Sequence, residues 1–303
     1  MKNPINSLVI LGLRATPKPI LFLFARRYIA GPELSDALRV VRELNAKGIL
    51  ATVDLLGESL ADERHVMEVV KTYKEILQEL DRERLAADIS IKPTHFGLLI
   101  DKEFCYGNVK EVVQAAAAVG RFVCMDMEDS PTVDATLEIY ERLRNEGHEN
   151  VGWVSQAMLR RATADMKRMA KWKPTVRICK GIYKEPASVA FQEAYVVHRN
   201  FGLVSRILAA AGGYPAFATH NEHMIWEALA VIHEFGLRPD QYEFQMLYGV
   251  KEGLRDILLA EGHRVRLYVP FGKDWKPYVI RRFRENPDML GYVIKALFKG
   301  RRG

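Results

Sequence analysis

ILATVDLL (Ile49 to Leu56), a long helix-like stretch, and then ADISIKPT (Ala87 to Thr94) make up the segment whose reading decides the fold. Both apolar runs are short and β-rich, the pattern of a buried strand, and the sequence between them is long enough for a helical crossover. Strands joined in that way lie parallel, because parallel neighbours need a crossover connection. Outward from this unit the rhythm repeats. RFVCMDM (Arg121 to Met127), VGWVSQ (Val151 to Gln156), TVRICKG (Thr175 to Gly181), PAFATH (Pro215 to His220), YEFQML (Tyr242 to Leu247) and RVRLYVP (Arg264 to Pro270) bring the strand-like runs to eight. Pro131 and Glu222 stand near the starts of two intervening helices, and Gly48, Gly147 and Gly236 close others. Eight βα repeats close a barrel. The expected fold class is therefore α/β, a (β/α)8 TIM-like barrel over residues 33–303, entered by a helix from Glu33 to Lys47. Residues 1–32 form an N-terminal arm, a candidate lid or membrane-facing element. An open doubly wound sheet is the alternative, and the lack of a GxGxxG after any of the runs counts against it.

Composition narrows the class further. The chain has 303 residues, 49% of them hydrophobic, enough for one large core. Its 44 Lys and Arg against 38 Asp and Glu leave a modest excess that is spread along the sequence, too diffuse for a nucleic-acid surface. Cys105, Cys124 and Cys179 are odd in number, far apart and without a CxxC pair, which reads as a reducing cytoplasmic compartment. The apolar runs Ser7 to Leu13 and Ile20 to Phe24 are separated by Arg14, Pro17, Lys18 and Pro19, and neither approaches the roughly 20 residues of a spanning helix.

Barrel enzymes place their chemistry where strands run out into the βα loops. Those positions here are mostly polar or ionisable: Asp54, Lys92, Asp126, Gln156, Arg177 with Lys180, His220 and Tyr268. A buried strand end accepts Lys or Arg only when a partner compensates the desolvation, so their convergence on one face points to a site. Alternatives stay open residue by residue. Lys92 and Asp126 could be a structural ion pair. His220 and His223, near Asp126 and Asp129, could ligate a metal, although HxxH is weak evidence and a histidine at a strand-to-helix turn is commoner. Lys92 or Lys180 could be the Schiff-base lysine of a barrel lyase or aldolase.

The most specific local feature follows the eighth run. In YVIRRFREN (Tyr278 to Asn286), positions 278, 281, 282 and 285 are spaced i, i+3, i+4, i+7, which puts Tyr278, Arg281, Arg282 and Glu285 on one helix face. Val279, Ile280 and Phe283 form the opposite, apolar face. An amphipathic helix with its polar stripe in water would look the same. Placed at a barrel mouth, the adjacent guanidinium forks would clamp an anionic substrate group, with Glu285 holding their orientation.

With these motifs in order, the chain resembles the proline dehydrogenases in their monofunctional bacterial form. The resemblance rests on Ser90-Ile-Lys92-Pro, Met125-Asp126-Met-Glu-Asp129, Gln156-Ala, Arg177-Ile-Cys-Lys180-Gly181, Phe217-Ala-Thr219-His220-Asn221, Glu243-Phe-Gln-Met-Leu, Tyr268-Val-Pro-Phe-Gly272 and the double-arginine helix. It implies a distorted barrel that binds FAD non-covalently, oxidises L-proline to Δ1-pyrroline-5-carboxylate and passes electrons to a membrane quinone. The next enzyme of the pathway, a pyrroline-5-carboxylate dehydrogenase, would be a separate chain. Carried over by position, Arg281 and Arg282 would bind the proline carboxylate, and Lys92 would add a third positive contact while pairing with Asp126. Tyr268 would pack against the proline ring. Met127, Gln156, Arg177, Lys180, Gly181, Ile182, Thr219 and His220 fall where the family contacts FAD, with Arg177 near the flavin N5 edge. Two positions depart from the family: many relatives have a small residue at Ile182 and a tryptophan at Lys184. The C-terminal run Tyr292-Val-Ile-Lys295-Ala-Leu-Phe-Lys299-Gly-Arg301-Arg302 sets basic residues beside an apolar stripe, as peripheral contact with anionic lipid requires.

Overall fold

Residue alternation along the strands organises the molecule, which a computed structural model describes over residues 21–22 and 25–285. The chain alternates strands and helices in the order α1 (Leu34–Asn45), β1 (Leu50–Leu55), α2 (Glu63–Arg82), β2 (Ala87–Ile91), α3 (Lys102–Ala118) and β3 (Val123–Met125). It continues with α4 (Val133–Asn145), β4 (Val151–Gln156), α5 (Ala162–Met169), β5 (Thr175–Cys179), α6 (Ala194–Ala210) and β6 (Tyr214–Ala218). The described residues continue with α7 (Glu222–Phe235), β7 (Glu243–Leu247), α8 (Glu252–Ala260), β8 (Val265–Phe271) and α9 (Trp275–Glu285). The strands are parallel and close in sequence order, with Thr52 opposite Tyr268 sealing β1 to β8. The eight strand-like runs are the eight strands of the barrel.

Val53, Ile89, Val123, Val176, Ile178, Phe217, Phe244, Val265 and Leu267 take alternate strand positions and are buried with the apolar sides of the surrounding helices. Apolar burial at about 25 cal/mol per Å² makes this layer the main stabilising force. The intervening positions point into the barrel, and many are polar: Thr52, Asp88, Cys124, Arg177, Glu243, Gln245 and Arg266 line one interior cavity. Local signals set the helix boundaries. Asp62, Asp101 and Asn221 accept backbone N–H bonds at the starts of α2, α3 and α7. Gly236 closes α7 in the left-handed conformation, with φ of 59°. Several strands are shorter than their apolar runs, β3 covering only Val123–Met125, and the case of β2 has a clear cause. β2 ends at Ile91, because Pro93 cannot donate to the ladder and instead opens a 3-10 turn over Pro93–Phe96.

After β8 the chain turns into α9, whose Trp275 and Val279 pack on Leu21, Ala25, Tyr28, Ile29 and Leu56. Backbone bonds from Ala30 to Pro270 and from Gly272 to Gly31 fasten the same region to the end of β8. The C-terminal run proposed for lipid contact lies outside the described residues. Among the described residues no helix is long and apolar enough to cross a membrane.

Gly152 in β4 is required by close packing. A Cβ there would stand 2.4 Å from the carbonyl oxygen of Thr175 and 2.6 Å from the Phe122 ring. Gly152→Ala should therefore lower unfolding stability by about 1–3 kcal/mol, the usual cost of overpacking. Chemical denaturation of the variant beside wild type tests this, and an unchanged midpoint would show that β4 and β5 separate without cost.

Candidate active site

The polar strand ends meet at one mouth of the barrel. Asp126, just beyond β3, is the centre. Its Oδ1 accepts from Ser90 Oγ at 2.8 Å and from Arg177 Nη1 at 2.5 Å, and its Oδ2 accepts from the Tyr268 hydroxyl at 2.8 Å. Arg177 also donates through Nη1 to Ser90 Oγ at 3.0 Å and through Nε to Gln245 Oε1 at 2.6 Å. Its guanidinium lies 5.1 Å from the centre of the Tyr268 ring. Strands β2, β5, β7 and β8 and the end of β3, five in all, thus contribute to one bonded cluster.

Lys92 is the second cation of the cluster. The expected pairing with Asp126 is present at 3.7 Å, but the shorter contact is to Asp54 Oδ1, at 2.7 Å. Its ammonium also donates to the Tyr268 hydroxyl at 3.4 Å. Burial pulls the Lys92 pKa down, yet the carboxylates of Asp54 and Asp126 outweigh that effect and lift it to about 12. A lysine held this firmly in its charged form is a poor Schiff-base nucleophile, since that chemistry needs the free amine. Asp54 shows the opposite balance. It is 1% exposed, and burial raises its pKa to about 6 despite the attraction of Lys92, with the charge of Asp126 pushing in the same direction. The Tyr268 hydroxyl is held far above its ordinary range, first by burial and then by Asp126 and Asp54.

Helix α9 covers this side of the barrel. Arg282 is buried, 7% exposed, so the polar stripe of the helix is not simply solvated. Its charge acts on His220, at the end of β6, and on Tyr28. Arg281 lies 3.7 Å from Glu58 in the loop after β1, and its charge reaches Tyr183 in the loop after β5. The Glu285 side chain lies outside the described residues.

The remaining expected positions fall around the rim. Gln156 donates to the Glu128 backbone carbonyl at 2.8 Å, which fixes its amide. Met127, Gly181 and Thr219 are buried, whereas Lys180 and Ile182 on the loop after β5 are exposed. His220 Nε2 accepts from the Leu247 backbone N–H at 2.9 Å, tying β6 to β7 while Asn221 caps α7. Burial, then Arg282 and Lys251, lower the His220 pKa to about 4, so the ring is neutral at pH 7. His223 stacks on His198 instead of joining His220, and no metal-binding group of His, Cys, Asp and Glu occurs among the described residues.

Several contributors were not singled out from the sequence. Ser90 and Gln245 hold Arg177, and Glu128 accepts from the Thr94 backbone N–H and hydroxyl at 3.0 and 2.6 Å, fixing the turn after Lys92. All three lie inside the motifs Ser90-Ile-Lys92-Pro, Met125-Asp126-Met-Glu-Asp129 and Glu243-Phe-Gln-Met-Leu, and period-2 placement marked Ser90 and Gln245 as well, but neither signal assigned them a role.

Comparison with known proteins follows the same outline. The family model described as proline dehydrogenase matches residues 37–294. "Proline dehydrogenase 1" of Bacillus subtilis subsp. natto is 36% identical over 277 residues, covering 91% of both chains. The proline dehydrogenase of Deinococcus radiodurans is 34% identical over 280 residues, covering 91% of this chain and 90% of its own length. Among solved structures, proline utilization A from Bdellovibrio bacteriovorus inactivated by N-propargylglycine superposes with a TM-score of 0.82 at 24% identity, over 86% of this chain. A proline utilization A structure with proline bound in remote sites gives 0.74 at 20% identity, over 86% of this chain. The chain spans about a third of the length of those two, and the likeness to them is one of fold.

The raised Asp54 pKa yields a stability test. Its folded value, about 6, exceeds the ordinary 3.8, so the folded state holds this proton more tightly. The stability it contributes is full below pH 3.8 and is lost as pH rises through about 6. Asp54→Asn removes that titration. The stability of D54N relative to wild type, from urea unfolding, should rise between pH 4.5 and 7; a difference independent of pH would mean that Asp54 is ionised throughout.

Proposed function

The chain belongs to the proline dehydrogenase family, and from that premise we propose how its own residues carry out the reaction. The activity is the FAD-dependent oxidation of L-proline to Δ1-pyrroline-5-carboxylate. The observation that carries the residue roles is the gathering of Lys92, Arg177 and the double-arginine helix around one barrel mouth.

Arg281 and Arg282 bind the substrate carboxylate, and Lys92 supplies a third positive contact. Guanidinium forks match a carboxylate bidentately, and Lys92, locked by Asp54, offers a fixed charge. Tyr268, held by Asp126 and Lys92, presents its ring as the apolar wall for the pyrrolidine. Glu285 orients the arginines. The cationic surroundings also disfavour a protonated substrate amine, so the neutral amine is supplied more readily. Proline loses a hydride from the ring carbon beside nitrogen and a proton from the nitrogen, which leaves the C=N bond.

The donor set fits a flavin. Arg177 Nη2 is buried with no acceptor, an orphan that a ligand carbonyl or ring nitrogen would satisfy. Arg177, Met127, Gln156, Gly181, Thr219 and neutral His220 would hold the isoalloxazine. Lys180 and Ile182 face outward, where the remainder of FAD would lie. FAD when bound supplies the acceptor for the hydride. A membrane quinone then takes the electrons during peripheral contact with the lipid surface, and a separate pyrroline-5-carboxylate dehydrogenase consumes the product.

Purified protein should be yellow and should bleach on anaerobic addition of L-proline; a flavin unmoved by proline would overturn the reading. Arg281→Met and Arg282→Met each remove a charge-assisted contact and should raise the proline KM about 10- to 100-fold with flavin content retained. Arg→Lys should recover part of the loss, because a point charge does not reproduce the fork. Wild-type KM in both Met variants would place the carboxylate elsewhere.

A further inference from the structure

A column of polar side chains runs down the inside of the barrel from Asp126 to the opposite end. Arg177 Nε donates to Gln245 Oε1 at 2.6 Å, and Gln245 Nε2 donates to Glu243 Oε1, also at 2.6 Å. The same Glu243 oxygen accepts from Arg266 Nε at 2.8 Å. Arg266 Nη1 meets Asp88 Oδ2 at 2.7 Å and donates to the Ala51 carbonyl at 2.9 Å. Donors and acceptors alternate at every step, so each member has one workable orientation. For Gln245 this matters most, since an amide can flip and exchange its oxygen for its nitrogen. Glu243, acceptor only, keeps the Gln245 nitrogen toward the barrel floor and its oxygen toward Arg177.

Packing alone does not hold this amide. Gln245 is only partly buried and borders a cavity of about 180 Å³, shared with Arg177, Glu243, Arg266 and Asp88. Its position therefore depends on its two hydrogen bonds. Asp126 and Ser90 take Nη1 of Arg177, and Gln245 takes Nε, which leaves Nη2 as the nitrogen without an acceptor. A guanidinium is a rigid plane, so two fixed nitrogens determine where the third points.

We propose that Gln245 is a positioning residue for the redox step: with Glu243 behind it, it sets the plane of Arg177 and hence the direction of the free Nη2 donor pair. This rests on the placement of Arg177 beside the flavin. The column Asp88, Arg266, Glu243 and Gln245 links the floor of the barrel to Arg177 through an unbroken run of hydrogen bonds and ion pairs.

The test is anaerobic stopped-flow reduction of the FAD-loaded full chain by L-proline. Gln245→Met keeps the volume and removes the acceptor for Nε. It should slow flavin reduction at saturating proline about tenfold or more, a scale set by the sensitivity of aligned reactions to sub-ångström displacement. The half-saturating proline concentration should stay within about twofold, because the carboxylate contacts are untouched. Gln245→Glu sets a second carboxylate against Glu243 and should also be slow. Q245E combined with Glu243→Gln removes that carboxylate–carboxylate contact and returns a donor–acceptor pair between the two positions, although the bond that the same Glu243 oxygen accepts from Arg266 is weakened, and should recover part of the rate. Wild-type reduction in Q245M, however much its melting temperature falls, overturns the proposal. So does equal slowness of Q245E and the double variant, which decides the matter if Q245M holds no flavin. Arg177→Lys separates the two levels: if it too reduces at the wild-type rate, the placement of Arg177 at the flavin fails; if it alone is slow, only the positioning role fails.

Discussion

The structure depends on the requirement that charges inside the barrel satisfy one another. Asp126 is where this is most acute. It stands below the mouth and accepts from Ser90, Arg177 and Tyr268, with Lys92 also close. Any one of these cations alone in such a setting would carry a desolvation penalty of several kcal/mol, and removal of a partner leaves the other charge uncompensated. The cluster is therefore cooperative. It fixes the ends of β1, β2, β3, β5 and β8 relative to one another through side chains, above the level at which the backbone ladder does so.

The apolar layer outside the barrel makes such a polar interior affordable. Helix-facing strand residues are almost wholly buried, and their contacts with the helices provide the stability that the inward positions do not. Inward polar residues reduce hydrophobic gain, but they give each side chain a defined hydrogen-bonding direction. The interior is a stack of two connected layers, the mouth cluster around Asp126 and the floor pair of Glu243 and Arg266, joined by Gln245.

Electrostatics then distinguishes this site from other uses of the barrel. A lyase lysine must be able to lose its proton, and the neighbours of Lys92 prevent that by lifting its pKa to about 12. His220, at about 4, is neutral and committed through Nε2 to the Leu247 backbone, so it contributes shape and hydrogen bonding. What remains is a mouth that gathers Lys92, Arg177, Arg281 and Arg282 around the carboxylates of Asp54 and Asp126.

The sequence by itself determined the fold class, because eight short apolar runs separated by helical stretches allow few arrangements, and parallel strands in that number close on themselves. It also marked Asp54, Lys92, Asp126, Arg177 and Tyr268, since ionisable residues at buried strand ends are conspicuous against an apolar pattern. Only the tertiary structure decided who pairs with whom. Lys92 takes Asp54 as its nearer partner because β1 lies beside β2, and the spacing of 38 residues between them carries no hint of that contact. Gln245 and Glu243 were visible as residues but not as parts of the site, because their role comes from the closure of the barrel, which turns alternate positions of β7 toward Arg177 on β5 and Arg266 on β8. Pairing across a closed barrel is a property of its geometry, and one-dimensional spacing does not encode it.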